Sequence, residues 1–332
     1  MSLPRFEYRS PSSLSEALAA AGGDAVIVAG GTELFVRLKD RIGTPNRVIG
    51  IGDIAELKGM DFLETGGLRI GAGTRLAELA EALGTHPRWR SLGDAVLLTS
   101  SPLLRNAGTV GGNLCQESRC YFYNQPPIFR KRWESCFKLG GDRCHVVKGG
   151  KECYAVYSGD LAGPLMALKA TAVVAGMKGK KTVEVGDLFT GLGARPTSVE
   201  PGEILTEIAL SALPAAAGFN YQKLRLRDTI DYPLMGISLL LEFAPAEPRT
   251  CLEARLVLSA TGPAPVLIPE VGELLKGKPI NEKLIEEAGE LVRKKAHPVA
   301  NTASTPKYRR DMVPVLVRRA FHQAAERAGR SI

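Results

Sequence analysis

The sequence predicts an α+β protein of at least two units, and three observations carry that reading. The chain has 332 residues, too many for one small domain. Short apolar strand patterns alternate with helical periodicity through its N-terminal part. An Ala/Pro-rich stretch, Ser211 to Gly218, then reads as a linker to a run of alternating strand patterns that ends in two long helices.

The elements follow in order. Ser10-Pro11-Ser12-Ser13-Leu14 reads as a helix start before an apolar-periodic run to Ala21. Ala25 to Ala29 is a short buried strand that ends in Gly30-Gly31-Thr32. Glu33 to Lys39 is helical, and Arg47 to Ile51 is the next strand. Leu68 to Ala72 is a strand followed by a helix from Thr74 to Leu83, with Thr74 placed to cap it. Gly-rich breaks follow at Gly108 to Asn113, Gly140-Gly141 and Gly149-Gly150. Leu161 to Lys169 is then a helix, Ala172 to Ala175 a strand, and Pro201-Gly202 opens a strand through Ile208. Beyond the linker, Tyr221 to Arg225, Gly236 to Phe243 and Glu253 to Ser259 suggest antiparallel strands. Asn281 to Ala296 and Asp311 to Ala328 are helices, the second with Pro314 in its first turn.

Composition removes several function classes. Hydrophobic residues at 45% and charged residues at 23% exclude a disordered chain, a collagen and a coiled coil. Aromatic content of 6% argues against stacking platforms for single-stranded nucleic acid. Four histidines argue against a His-rich metal enzyme. The longest apolar run, Leu161 to Met177, is broken by Gly163-Pro164 and Lys169, short of the ~20 residues that span a bilayer. With no apolar signal-peptide core at the N-terminus, a cytoplasmic protein without a membrane partner is expected. The net charge of +8 is uneven: Arg119 to Lys151 carries +6, Arg293 to Arg330 carries +8, and the remainder −6. No recognition element for nucleic acid accompanies these segments, so an acidic protein partner or an anionic ligand fits better.

Two Gly-rich turns point to chemistry. Val28-Ala29-Gly30-Gly31-Thr32-Glu33 lies at a strand end with a helix behind it, and Asn106-Ala107-Gly108-Thr109-Val110-Gly111-Gly112-Asn113 is the second. Glycines let a backbone approach a ligand closely, and successive N–H groups form an anion-binding nest. Together they look like two jaws on a diphosphate; the plainer alternative is two ordinary tight turns. Neither is a dinucleotide fingerprint or a P-loop.

Five of the six cysteines fall between Cys115 and Cys153. Cys120, Cys136, Cys144 and Cys153 are separated by 16, 8 and 9 positions, while Cys115 sits beside the second glycine turn. In a reducing compartment such a cluster points to metal or redox chemistry rather than disulfides. Four thiolates suit a tetrahedral metal or a 4Fe–4S cube. Wide spacing without a second close pair suits the cube better, and zinc or unligated thiols remain open. His145 beside Cys144 reads as a solvated loop residue, and Cys251 as a small buried apolar one.

The ordered set Ala29-Gly30-Gly31-Thr32-Glu33, Gly71-Ala72-Gly73-Thr74 and Ala107-Gly108-Thr109-Val110-Gly111-Gly112-Asn113 resembles the FAD-binding subunits of the molybdenum hydroxylases. These include the medium subunits of carbon monoxide dehydrogenase and the flavin domain of xanthine dehydrogenase. The resemblance continues through Ser158-Gly159-Asp160-Leu161, Gly202-Glu203-Ile204-Leu205, Lys223, Asp231-Tyr232-Pro233-Leu234 and Tyr308-Arg309-Arg310, nearly the whole chain. It implies a two-subdomain FAD-binding domain of the vanillyl-alcohol-oxidase type over residues 1–215, divided at 57/58, with an α+β domain of the CO-dehydrogenase-flavoprotein type over 216–332.

By the same resemblance, Val28, Ala29, Gly30, Gly31, Thr32, Glu33 and Leu34 would wrap the FAD pyrophosphate, and Gly108, Thr109, Gly111, Gly112 and Asn113 would close on it. Thr99 and Leu205 would pack on the flavin or adenine. Asp160 would hydrogen-bond the cofactor, and Lys223 would lie near the isoalloxazine. On the residues alone, Asp160 reads as a helix N-cap and Lys223 as a solvated strand lysine. Glu33 stands where many relatives carry Asp. The inserted segment 114–153 closely resembles that of the β subunit of 4-hydroxybenzoyl-CoA reductases, which carries an extra 4Fe–4S cluster. The implied ligands are Cys120, Cys136, Cys144 and Cys153, with Cys115 left out. The implied activity is electron transfer with no catalytic residue on this chain. The implied partners are a molybdopterin-containing large subunit, a 2Fe–2S small subunit and an acidic donor such as a ferredoxin. A different class, a zinc-stapled binding module, stands as the alternative, beside a flavin subunit serving another aromatic or N-heterocyclic substrate.

Overall fold

Strands Glu7–Arg9, Arg47–Gly50 and Ala25–Val28 lie side by side in that order and run parallel. They open a computed structural model that describes residues 2–332. Successive strand side chains point to opposite faces, and both faces of this sheet are covered. Ile49 packs with Ala17, Ile54 and Leu57 on one side; Val48 packs with Val28, Leu34 and Leu38 on the other. Ser13 caps helix Leu14–Ala20 by accepting the Glu16 N–H at 3.2 Å. The edge strand Glu7–Arg9 escapes sequence reading because all three of its residues are exposed and carry no apolar pattern.

A five-stranded antiparallel sheet follows, in the order Met60–Phe62, Leu68–Gly71, Ile204–Leu210, Thr171–Gly176, Gly179–Glu184. Helices Leu76–Gly84, Arg90–Leu97 and Ala162–Ala167 bury their apolar stripes on its core. The expected Thr74 cap is corrected. Its hydroxyl donates to the Gly59 carbonyl at 2.9 Å, and the first helix starts beyond Arg75, whose N–H donates to Glu78 at 3.2 Å. The turn Gly71-Ala72-Gly73 lies against the Leu57 carbonyl, 2.4 Å from where a Cβ on Gly71 would sit, so a side chain there would part the two units.

The third sheet, antiparallel, runs Ala217–Leu224, Met235–Phe243, Cys251–Ser259, Val266–Leu267. Its two faces go to different cores. Phe219, Tyr221, Leu240 and Val257 join the core of the preceding sheet; Leu239, Leu241, Leu256 and Leu258 pack under helices Glu282–Lys295 and Val313–Arg327. The linker expectation is therefore shortened: a strand already begins at Ala217, and one face of its sheet joins the core of the preceding sheet. Arg309 is fully buried, with no carboxylate paired to it among the described residues. Its guanidinium donates to the carbonyls of Leu234, Val299 and Ala260 at 2.9, 3.2 and 2.6 Å. Burial pulls its pKa down to about 10.

The inserted segment has little regular structure beyond the turns Pro127–Arg130 and Phe137–Leu139. Polar anchors hold it instead. Arg130 donates to the carbonyls of Asp40 and Arg41 at 2.9 Å each, and Arg119 pairs with Val156 as an isolated bridge. No helix among the described residues is long and apolar enough to cross a membrane.

Candidate functional site

The two glycine turns meet. A Cβ on Gly30 would lie 1.9 Å from the Ala107 carbonyl oxygen, so residue 30 is glycine because the second turn packs directly on the first. Gly31 is in the left-handed region at φ +69, which lets the chain enter helix Leu34–Lys39. On the other jaw, Thr109 caps helix Val110–Leu114 by accepting the Gly112 N–H at 3.1 Å. A Cβ on Gly111 would meet the Ala72 carbonyl oxygen at 3.0 Å, whereas one on Gly112 would meet only the Thr109 hydroxyl.

Between the jaws lies a cavity of about 430 Å³. All of the residues proposed for FAD from the sequence line it, except Lys223. Three buried polar atoms of its lining residues have no hydrogen-bond partner among the described residues: Thr99 Oγ1, Glu33 Oε1 and Arg37 Nε. Glu33 shares its other oxygen with Arg37, Nη1 to Oε2 at 3.4 Å, and burial raises its carboxyl pKa against that pull.

The solvated reading of Lys223 is corrected. It is not a solvated strand lysine and does not line the cavity. Its side chain is 1% exposed, and its ammonium donates to Leu98 O at 2.9 Å, Asp231 O at 2.9 Å and Asp160 Oδ2 at 3.0 Å. It thus fastens the segment before Thr99 to the loop carrying Ile230, Asp231 and Tyr232, both of which line the cavity. Asp160 is not a helix N-cap. Tyr221 and Lys223 occupy its two oxygens, and the Leu161 N–H donates to Asn113 Oδ1 at 3.0 Å instead. Burial raises the Asp160 pKa, partly opposed by Lys223.

Several lining residues carry no FAD role in the sequence reading: Ser100, Leu104, Cys115, Gln116, Glu117 and the Ile230–Tyr232 loop. Asp231-Tyr232-Pro233 was a visible motif without an assigned role. The Tyr232 ring lies under the Arg119 guanidinium, 4.3 Å from its centroid. Cys115 lines this cavity, apart from the other clustered cysteines.

Those four, Cys120, Cys136, Cys144 and Cys153, line a second cavity of about 20 Å³. All six cysteines are free, and Cys251 is buried as expected. Burial pushes the Cys120 thiol up to about 11. Backbone N–H groups of Phe122 and Tyr123 oppose this at Cys120, that of Ala155 acts likewise at Cys153, and the Val147 N–H donates to Cys144 Sγ at 3.4 Å. Among the described residues, no three Cys, His, Asp or Glu side chains group closely enough to hold a metal ion. His145 is not simply solvated. It lines the same cavity, its Nε2 lies 2.7 Å from the Glu134 carbonyl, and its ring packs near Phe122 and Trp133.

Residues 4–213 match the family described as the FAD binding domain in molybdopterin dehydrogenase, and residues 219–324 match the CO dehydrogenase flavoprotein C-terminal domain. The FAD-binding subunit of an Escherichia coli aldehyde oxidoreductase is 32% identical over 227 residues, 66% of this chain and 71% of that one. The carbon monoxide dehydrogenase medium chain of Afipia carboxidovorans is 26% identical over 97% of this chain and 98% of its own. A solved carbon monoxide dehydrogenase from Hydrogenophaga pseudoflava superposes with a TM-score of 0.81 at 25% identity, covering 98% and 99% of the two chains. With its jaws, its cavity and both matched domains in place, this chain belongs to the FAD-binding medium subunits of the molybdenum hydroxylases, as an oxidoreductase subunit.

Proposed function

We propose that this chain holds FAD in the 430 Å³ cavity and a 4Fe–4S cluster on Cys120, Cys136, Cys144 and Cys153, and that it carries electrons between them. FAD exchanges electrons singly or in pairs, and so links one-electron clusters to other carriers. The chain's own residues would bind and orient it. The jaws at Gly30–Thr32 and Gly108–Gly112 would take the diphosphate, the partnerless Thr99 hydroxyl offers a hydrogen bond, and Leu205 offers apolar contact. We place the FAD-binding domain at residues 1–215 and the C-terminal domain at 216–332.

One observation carries the reading. Four cysteines far apart in sequence surround one cavity, and the segment from Cys115 to Cys120 walls that cavity off from the flavin cavity. A tetrahedral zinc would bring its sulfurs to about 3.8 Å from one another, given Zn–S bonds of about 2.3 Å. The four cysteines line one cavity, and among the described residues no three of them group as closely as a single ion requires, which supports a cube over zinc. At about 20 Å³ that space is smaller than a cube, so the loop must spread as the Fe–S bonds form. Gly140 and Gly149, both at positive φ with open surroundings, are the places where it can.

The matches establish the family; the closer kinship with 4-hydroxybenzoyl-CoA reductases rests on the inserted cysteine loop. On that basis the complex would remove a phenolic hydroxyl from an aromatic CoA thioester in an anaerobic, cytoplasmic setting. A molybdopterin-containing large subunit and a 2Fe–2S small subunit would complete it, and an acidic donor such as a ferredoxin would supply electrons at the loop. A related complex acting on another aromatic or N-heterocyclic substrate would use the same flavin site.

Visible absorption with iron and FAD analysis tests the proposal. The chain is expected to carry one FAD and about four irons. Cys136→Ser should lose the iron while Cys115→Ser keeps it. A chain without iron, or equal loss in both variants, would overturn the cluster; a zinc-stapled module would show no visible absorption.

A further inference from the structure

One buried cation stands between the two cavities. The Lys138 side chain is 3% exposed and lines the cysteine cavity. Its ammonium donates to Glu117 Oε2 at 2.7 Å, to Ser118 Oγ at 2.5 Å and to the Gly193 carbonyl at 2.8 Å, and it lies 5.0 Å from the Tyr123 ring centroid. Three acceptors fix it in place. Glu117, its ionic partner, lines the flavin cavity. The ion pair therefore crosses the shared wall with its positive end on the cysteine side and its negative end on the flavin side. The other basic residues of the loop are placed differently. Arg143 also lines the cysteine cavity, but it is half-exposed and paired with Glu134 and Asp142; Arg130 donates to backbone carbonyls, and Lys131 and Arg132 are exposed.

We propose that the Lys138–Glu117 pair is a potential-setting element: it raises the reduction potential of the group held by the four thiols and lowers that of the flavin. The inference rests on the cluster reading above. An added electron is stabilised by a nearby positive charge and destabilised by a negative one, and both effects are large where water is excluded. Cluster potentials respond to local charge, to hydrogen bonding and to solvent exposure. Here the charge is buried, rigid and one-sided. Glu33, Arg37 and Arg119 also face this wall, but the Glu33–Arg37 pair compensates itself and the Arg119 guanidinium lies over Tyr232.

The test uses the full chain, titrated with dithionite and mediators, with the cluster followed by electron paramagnetic resonance and iron and FAD measured on the same samples. Lys138→Met should keep iron and FAD but shift the cluster midpoint to lower potential. The expected shift is at least tenfold in the reduced-to-oxidised ratio at fixed potential, about 59 mV for one electron. Lys138→Arg should restore the midpoint. Glu117→Gln, which leaves the ammonium uncompensated, should shift it the opposite way. Lys131→Gln, an exposed charge on the same loop, should leave it in place. An unmoved midpoint in Lys138→Met overturns the proposal, as does an equal shift in Lys131→Gln. If Lys138→Met loses its iron, Glu117→Gln decides: an unmoved midpoint there overturns the proposal. Absence of iron from the unmodified chain is a separate result and sinks the cluster reading itself.

Discussion

Gly30→Ala isolates the contact between the two jaws. The residue is not at positive φ, so alanine is conformationally allowed and only its added methyl matters. That methyl would sit 1.9 Å from the Ala107 carbonyl oxygen, 2.6 Å from its carbon and 3.0 Å from Gly108 Cα. All three are backbone atoms, so no side chain can swing aside. An ordinary C···O contact is about 3.3 Å, so the turns must part by about 1.4 Å. A hydrogen bond of about 2.9 Å does not survive such a shift. Overpacking of this kind costs about 1–3 kcal/mol, which corresponds to about a 5- to 150-fold loss of FAD affinity if the strain is released by opening the jaws. Deflavinated protein would be titrated with FAD and followed by flavin fluorescence, with a melt to confirm folding. Gly22→Ala, where a methyl meets nothing within 4 Å and φ is not positive, is the control. Wild-type affinity in folded Gly30→Ala, or equal weakening in Gly22→Ala, would refute the reasoning.

Lys223→Met leaves the buried Asp160 carboxylate without its cation, and breaking such a pair costs about 3–5 kcal/mol; urea unfolding should show it, and a loss under 1 kcal/mol would contradict the role of Lys223 as a buried fastener. Because burial raises the Asp160 pKa above its unfolded value, the folded chain binds that proton more readily than the unfolded one. Its contribution to stability should therefore fall as pH rises from the unfolded carboxylate value through the folded one, and stay constant above. Asp160→Asn should remove that slope, read from urea midpoints across the acid range. Lys131→Glu with Arg132→Glu, both exposed on the basic loop, should slow reduction by an acidic ferredoxin at low salt and leave iron and FAD intact. The difference should fade toward 0.15 M salt, where screening acts over about 8 Å; a rate indifferent to both charge and salt in stopped-flow would remove donor docking.

The sequence by itself was enough for whatever depends on local pattern. The strand from Gly236 to Phe243, the helix from Asn281 to Ala296 and the paired glycine turns could all be read directly, as could the concentration of thiols between Cys115 and Cys153. Exposed strands such as Glu7–Arg9 and Gly179–Glu184 could not, because nothing apolar marks them and only pairing with a neighbour makes them strands. Tertiary structure alone decided the partners of long-range polar groups. Asp160 precedes an apolar helix and reads as its cap, yet Asn113, distant in sequence, takes that N–H while Tyr221 and Lys223 claim the carboxylate. Lys223 looks like a surface lysine and is buried, because three acceptors from separate segments converge on its ammonium and offset its desolvation. Lys138 reads as one basic loop residue among several, and only folding puts it between the thiols and Glu117. Periodicity and turn chemistry are properties of neighbouring residues; the pairing of a buried charge depends on which distant atoms the packed chain brings within hydrogen-bond reach.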